Sequence, residues 1–195
     1  MRYRTSAILF HCSIAALVLA DFGLALSFAW FNPGDAWYFR SAYRLHMSLG
    51  MAVLALSLSC VASRLLHRHE YPPLPSEMHA LTRVLAKVAH ALLYAFIVVV
   101  PMTGWVILSA RKTAAAMFGR IDWPTIAFLA DKTHDERVRI NDSFLPIHSM
   151  LAYIGMCIVA LHIVAALYHH FWRRDEVLIR MLPRVSAMLP KMRAP

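Results

Sequence analysis

Four long apolar stretches, separated by polar segments, dominate the pattern of hydrophobic and polar positions along this chain. They cover residues 7–30, 45–66, 88–110 and 144–172. A helix needs roughly 20 apolar residues to cross about 30 Å of hydrocarbon, and each stretch is long enough. None shows the short alternating segments of a membrane β-barrel. The pattern therefore predicts helices, which satisfy their own backbone hydrogen bonds inside a membrane.

The segments that join these stretches are short, which favours antiparallel neighbours. The sequence predicts an all-α membrane protein, an up-down-up-down four-helix transmembrane bundle that forms one domain over residues 1–195. The proline-rich run at 71–75 cannot continue a helix and is expected to be extended. The longest segment, 111–143, is mixed in charge, and we expect it to include a short helix and to cover the outer end of the bundle.

Composition and charge agree with a membrane protein. Hydrophobic residues make up 59% of the chain and charged residues 16%. The formal net charge of +9 does not indicate nucleic-acid binding, because the basic residues gather at the ends of the predicted spans. The amino terminus, residues 64–87 and the tail after Trp172 hold twelve of the twenty Lys and Arg against four acids. This bias predicts that both termini are cytoplasmic and that the tail contacts anionic lipid.

Histidines recur at two matched depths in the predicted spans. His46, near the outer end of the second span, lies at the depth of His148, and His11 in the first span lies at the depth of His162. Buried imidazoles are costly in hydrocarbon, so two such pairs indicate a functional site. Residues spaced seven apart, nearly two helical turns, share one stripe of the last span, and here they are His148, Gly155, His162 and His169.

Two imidazoles that face each other at one depth fit the two axial positions of a haem iron. Gly50 lies one turn from His46, and Gly155 lies midway along the stripe, where a missing side chain lets a flat macrocycle approach the backbone. Zinc suits the site less well, because neither depth offers four ligands. A histidine-lined proton or metal transporter is an alternative, although the levels between the pairs are almost wholly apolar.

The same stretches resemble the bacterial di-haem cytochrome b561 family. The resemblance spans nearly the whole chain and includes the tail at 175–183. It is carried by ILFH at 8–11, YRLH at 43–46, VAHALLY at 88–94, the segment 118–124, PIH at 146–148, LH at 161–162 and AALYHHFW at 165–172. Members of this family are four-helix electron carriers of the bacterial inner membrane, so the resemblance implies that location here.

The resemblance implies two haem b groups. By position, His11 and His162 would hold the inner haem, and His46 and His148 the outer haem, with His90 the main rival for an inner position. With both axial positions filled, the iron has no open site for oxygen, and the expected chemistry is outer-sphere electron transfer.

The resemblance also implies partners. The chain would move electrons between an outer donor, with superoxide a candidate, and the quinone pool, which would make it a superoxide:ubiquinone oxidoreductase. The electron donor can be either a small molecule or a protein. A quinone needs an apolar groove with a hydrogen-bonding group, which His90, Tyr94 or His169 can offer. The alternative is a haem-bearing anchor subunit for a partner dehydrogenase.

Polar residues outside the histidine pairs add two expectations. Arg44, with Arg40, lies near the outer haem level and can pair with haem propionates. Both can also form a positive funnel for a small anion, together with Arg111, Lys112 and Arg120. Asp21, deep in the first span, is either a proton carrier for quinone reduction or a neutral, hydrogen-bonded carboxyl.

Overall fold

The computed structural model describes residues 5–28, 36–67, 80–112 and 116–174. Side chains are described from residue 40 onward in the second range and from residue 117 onward in the last. The proline-rich run at 71–75 and the tail after residue 174 lie outside these ranges. The elements in chain order are α1 (Thr5–Ser27), α2 (Ala36–Leu66), α3 (Ala80–Ala110), β1 (Ala116–Met117), β2 (Ile121–Asp122), α4 (Ala127–Ala130) and α5 (His134–Phe171).

Four of these helices, α1, α2, α3 and α5, are long and apolar enough to cross a membrane. Helix α2 packs against both α1 and α3, and α3 packs against α5. Large apolar side chains such as Leu9, Val99 and Leu161 remain exposed on the outside of the bundle, which is the surface that lipid covers. The predicted all-α, four-helix transmembrane bundle is therefore confirmed.

The helices extend beyond the apolar stretches that predicted them. Helix α2 begins at Ala36 rather than near residue 45, and α5 begins at His134 rather than near residue 144. Helix α5 has 38 residues. At about 1.5 Å per residue it is roughly 57 Å long, against about 30 Å of hydrocarbon. Helices α2, α3 and α5 each begin with turns that contain charged residues, and the apolar pattern does not predict these turns.

A capping box starts the projecting turn of α5. The Thr133 hydroxyl accepts a hydrogen bond from the Glu136 backbone N–H, and the Glu136 carboxylate accepts one from the Thr133 backbone N–H at 2.9 Å. The hydrogen bonds from Thr133, together with a weaker contribution from the hydrogen bond and charge of Lys132, lower the pKa of Glu136 below its ordinary value. The two residues satisfy backbone donors that the helix leaves unpaired, which allows α5 to begin outside the membrane.

The connection between α3 and α5 is docked on the end of the bundle. The β1–β2 hairpin turns at Phe118 and Gly119, whose φ values of 50° and 71° suit this tight turn. The Phe118 backbone N–H donates to Ser48 Oγ of α2 at 3.0 Å, and the Trp105 indole of α3 donates to the Pro124 carbonyl at 2.7 Å. As expected, the segment includes a short helix and covers this end of the bundle. We call this end the loop side and the opposite end, where α1 begins and α5 ends, the terminal side.

The middle of the bundle is an apolar core between the two histidine depths. Ile14, Val18 and Val53 are buried there, with Phe22 and Phe96 packed against them. Among the described residues, the side chains between the two histidine depths do not form the continuous polar path that a transporter needs.

Candidate functional site

Two imidazoles meet on the loop side, and we call His46 of α2 and His148 of α5 the loop-side pair. Their ring centroids are 6.1 Å apart. Two imidazoles that bind one metal from opposite sides, with bonds of about 2 Å, have centroids roughly 6 Å apart. Within the described ranges, no group of three or more His, Cys, Asp or Glu side chains is arranged to hold a metal ion. The donor set here is therefore two imidazoles, which is what a haem iron requires, because the porphyrin supplies the other ligands.

The Nδ1 atoms of the loop-side pair are both engaged by hydrogen-bond partners. His46 Nδ1 lies 2.7 Å from Asp21 Oδ1, and His148 Nδ1 lies 2.9 Å from Thr103 Oγ1 and 3.2 Å from the Val100 carbonyl. The Thr103 hydroxyl donates its own proton to Val100, so it accepts from the imidazole. Metal-binding histidines normally donate one N–H in this way and bind through the other nitrogen. Both rings thus keep Nε2 for a metal, and Asp21 serves as a hydrogen-bonded carboxyl.

Three imidazoles meet on the terminal side, and we call His11, His90 and His162 the terminal-side group. The His162 ring centroid lies 6.5 Å from that of His11 on α1 and 5.5 Å from that of His90 on α3. His90 Nδ1 donates to the Ala86 carbonyl at 2.6 Å. Either spacing is near that of two imidazoles on one metal, so distance alone does not choose between His11 and His90.

Helix packing separates these two pairings. Helix α5 packs closely on α3, whereas in the described ranges its backbone approaches α1 and α2 at few points. A macrocycle inserted between two ligands needs such a gap between the helices that carry them. His11 and His162 lie across the α1–α5 gap, and the loop-side pair lies across the α2–α5 gap, while His90 is on the helix that packs on α5.

A protein side chain occupies the space at one of the two predicted glycines. Gly155 is buried, and a Cβ there would overlap the ring of Phe96. That ring lies 5.8 Å from the ring of Phe22, so two aromatic side chains occupy the layer between the histidine depths. A Cβ on Gly50 would lie 4.0 Å from Asp21 Oδ2. Gly155 therefore admits the Phe96 ring to the interior of the bundle, whereas a Cβ on Gly50 would be at ordinary van der Waals distance from Asp21.

A cavity lined with basic side chains lies beyond the loop-side pair. Its volume is ≈ 230 Å³, and its lining is Ala110, Arg111, His134, Arg137, Val138 and Asn141. The Arg111 guanidinium donates to Asn141 Oδ1 at 2.7 Å and to the Tyr43 hydroxyl at 3.2 Å, which fixes its position. Asn141 lies two turns before His148 on α5, about 10 Å along the helix.

Sequence reasoning anticipated Arg111 in this cavity but not its neighbours. His134, Arg137 and Asn141 fell in a segment expected to be mostly loop. Their spacing of three and four residues is typical of one helix face and was the signal available. The other expected cations are exposed and do not line the cavity: Arg40, Arg44, Lys112 and Arg120.

On the terminal side, Tyr94 is paired with a cation. Its hydroxyl accepts a hydrogen bond from Arg64 at 2.8 Å, and the guanidinium lies 5.3 Å from the ring centroid. His169 lies nearly two turns beyond the depth of His162, with its ring 6.0 Å from that of Tyr168. Polar groups thus border the apolar bundle at this end.

Comparison with known proteins agrees with this architecture. Residues 2–184 match the family model for prokaryotic cytochrome b561. The chain is 31% identical over 189 residues to cytochrome b561 homolog 2 of Escherichia coli strain K12, covering 95% of this chain and 94% of the relative. It is 29% identical over 142 residues to a probable superoxide oxidase CybB of Yersinia pestis, covering 72% and 74%. The chain therefore belongs to the prokaryotic cytochrome b561 family, the haem b electron-transfer proteins of the bacterial inner membrane.

Proposed function

We propose that this protein holds two haem b groups and carries electrons across the membrane between them. The loop-side pair would hold one haem, and His11 and His162 the other. When bound, each haem supplies an iron that accepts and returns one electron. The observation that supports this most strongly is the spacing of the two imidazole pairs, 6.1 Å and 6.5 Å between ring centroids. The gaps that α5 leaves against α1 and α2 support the choice of these pairs over His90.

The donor that the chain fits best is superoxide. A small anion would be drawn to the basic cavity by Arg111 and Arg137, whose fixed positive charges raise its local concentration. The relative named as a probable superoxide oxidase supports the same donor. Two superoxide anions each give up one electron and leave as O₂. One ubiquinone takes the two electrons, together with two protons, and leaves as ubiquinol.

The quinone would bind at the terminal side. His90 and Tyr94 lie one helical turn apart on α3, close to the second imidazole pair, and His169 lies at the same end. With both termini cytoplasmic, as the distribution of Lys and Arg indicates, this end faces the cytoplasm and the basic cavity faces outward. A reporter enzyme active only in the cytoplasm, fused to the carboxy terminus, should be active. An inactive reporter there, with an active periplasmic one, would reverse the orientation.

Purified protein should oxidise superoxide by itself. In detergent with ubiquinone and a superoxide generator, we expect ubiquinol to form and the b-type spectrum to show reduction. Superoxide dismutase should stop both. A protein that contains haem but forms no ubiquinol without an added dehydrogenase would be an anchor subunit, and the proposed donor would be wrong.

Single ligand variants test the two pairs. His148→Ala should remove one haem and leave the spectrum of the other, and His162→Ala should remove the other haem. His90→Ala, the matched control on α3, should retain both. If His90→Ala loses a haem and His11→Ala does not, the assignment on the terminal side is wrong.

A further inference from the structure

Asp21 is the only acidic residue in the four apolar stretches. A carboxyl group at this depth is costly unless a specific partner stabilises it. That partner is His46, whose Nδ1 lies 2.7 Å from Asp21 Oδ1, and the two side chains are only 16% and 21% exposed. The contact joins the neighbouring helices α1 and α2.

The two ligands of the loop-side pair differ in the charge of their partners. His46 donates to a carboxylate, whereas His148 donates to the Thr103 hydroxyl and the Val100 carbonyl, which are both neutral. On the terminal side, His90 also donates to a backbone carbonyl. Within the described ranges, His46 is the one member of the loop-side pair and the terminal-side group that contacts a carboxylate.

A carboxylate that accepts the Nδ1 proton increases the electron donation of the imidazole to a metal. Its negative charge, in a site of low dielectric, also favours the more positive oxidation state of a nearby iron. Hydrogen bonds of this kind are among the levers that set haem reduction potentials. Both effects act in one direction and lower the potential.

We propose that Asp21 is a positioning residue that orients His46 and lowers the reduction potential of the loop-side haem. The proposal rests on the two-haem function above. Asp21 would make the potential of the loop-side haem lower than His46 alone would make it. Electrons flow from lower to higher potential, so this difference favours flow toward the terminal side, where the quinone would be reduced. Among the described residues, His11 and His162 have no carboxylate partner that would lower the potential of the terminal-side haem in the same way.

The surroundings of Asp21 allow a clean set of variants. A small cavity of ≈ 40 Å³ borders its side chain and is lined by Gly50 and Phe96 among others, so a slightly longer acid has room. Asp21→Asn keeps the shape and one accepting oxygen but removes the charge. Asp21→Glu keeps the charge. Thr103→Val removes the hydroxyl beside His148 and leaves the Val100 carbonyl as acceptor.

A redox titration followed by optical spectroscopy tests the proposal on purified protein, with His148→Ala marking which transition belongs to the loop-side haem. Asp21→Asn should raise that potential and leave the other unchanged, and Asp21→Glu should restore it. Thr103→Val should shift it less. Asp142→Asn removes the same charge from an exposed residue six positions before His148 and should shift neither haem.

Three results would overturn the proposal: unchanged potentials in Asp21→Asn, equal shifts of both haems, or a shift in Asp142→Asn as large as in Asp21→Asn. If Asp21→Asn loses the loop-side haem, its potential cannot be measured, and Asp21→Glu then tests the role of the carboxylate. Retained haem with an unaltered potential in Asp21→Glu supports the role, and loss in both variants contradicts it. A wild-type protein without a loop-side haem would instead refute the proposed function, so the two failures are distinguishable.

Discussion

His46 and His148 each donate a hydrogen bond to an acceptor on a neighbouring helix. Asp21 of α1 accepts from His46 of α2, and Thr103 of α3 accepts from His148 of α5. The loop-side pair therefore draws on all four long helices. The sequence predicted which histidines lie at the same depth, because depth follows from the number of residues between each histidine and the end of its span. Their partners were not predictable, because spans that are apolar nearly all round do not reveal how each helix is rotated about its axis.

Arg111 and Arg137 should control how fast a small anion reaches the protein. Exchanging both for Gln should lower the second-order rate of haem reduction by superoxide by roughly tenfold at low ionic strength. The difference should shrink as salt increases, because salt screens the attraction. Stopped-flow absorbance measures the rate.

Arg139→Gln is the matched control for Arg137→Gln alone, since each removes one charge from α5 and Arg139 does not line the cavity. It should change the rate much less. An equal loss in this variant would mean that overall charge, and not the cavity, attracts the anion.

The long helices show which parts of an element the sequence determines. The apolar runs predicted the number and order of the spans, because only a hydrophobic helix of about 20 residues satisfies the membrane. The same runs did not predict that α5 begins at His134, because its first turns are polar and are stabilised by water and by the capping box at Thr133.

Gly155 should be essential to the packing of α3 on α5. In Gly155→Ala the new methyl group overlaps the Phe96 ring, and overpacking of this kind costs about 1–3 kcal/mol. We expect a lower thermal midpoint in detergent. Gly23→Ala is the control, because nothing lies within 4 Å of a Cβ there. It should leave the midpoint unchanged or raise it, and equal destabilisation of both variants would refute the contact.

The cap of α5 should weaken when Thr133 is replaced by Ala. Loss of an N-cap costs about 1 kcal/mol, which corresponds to a roughly fivefold increase in local opening. Amide hydrogen exchange of residues 134–138 should rise accordingly. Because hydrogen bonds lower the folded-state pKa of Glu136, its contribution is complete above the ordinary value near 4.5 and disappears as the pH falls through the lowered pKa.

The effect of Thr133→Ala on exchange, corrected for intrinsic rates, should therefore decrease at acidic pH. An effect that stays constant through this range would show that the Thr133 hydroxyl does not stabilise the Glu136 carboxylate. Unchanged exchange at neutral pH would show that the cap itself is unimportant.

The whole molecule places one imidazole pair near each end of an apolar bundle. His148 and His162 are fourteen residues apart on α5, about 21 Å along its axis. One helix therefore carries an imidazole of each pair, and α1 and α2 each carry one of the facing imidazoles across a gap. The family relationship establishes a haem b electron-transfer protein of the inner membrane. Two sites in series are what an electron needs to cross from one side to the other.

The ratio of haem to protein in the purified wild-type chain tests this arrangement most directly. It is measured by haem extraction and protein quantitation on protein expressed with ample iron. The two imidazole pairs predict two haem b groups per chain, with two separable transitions in a redox titration. A ratio of one or zero would contradict the account, because one pair at least would then bind no haem.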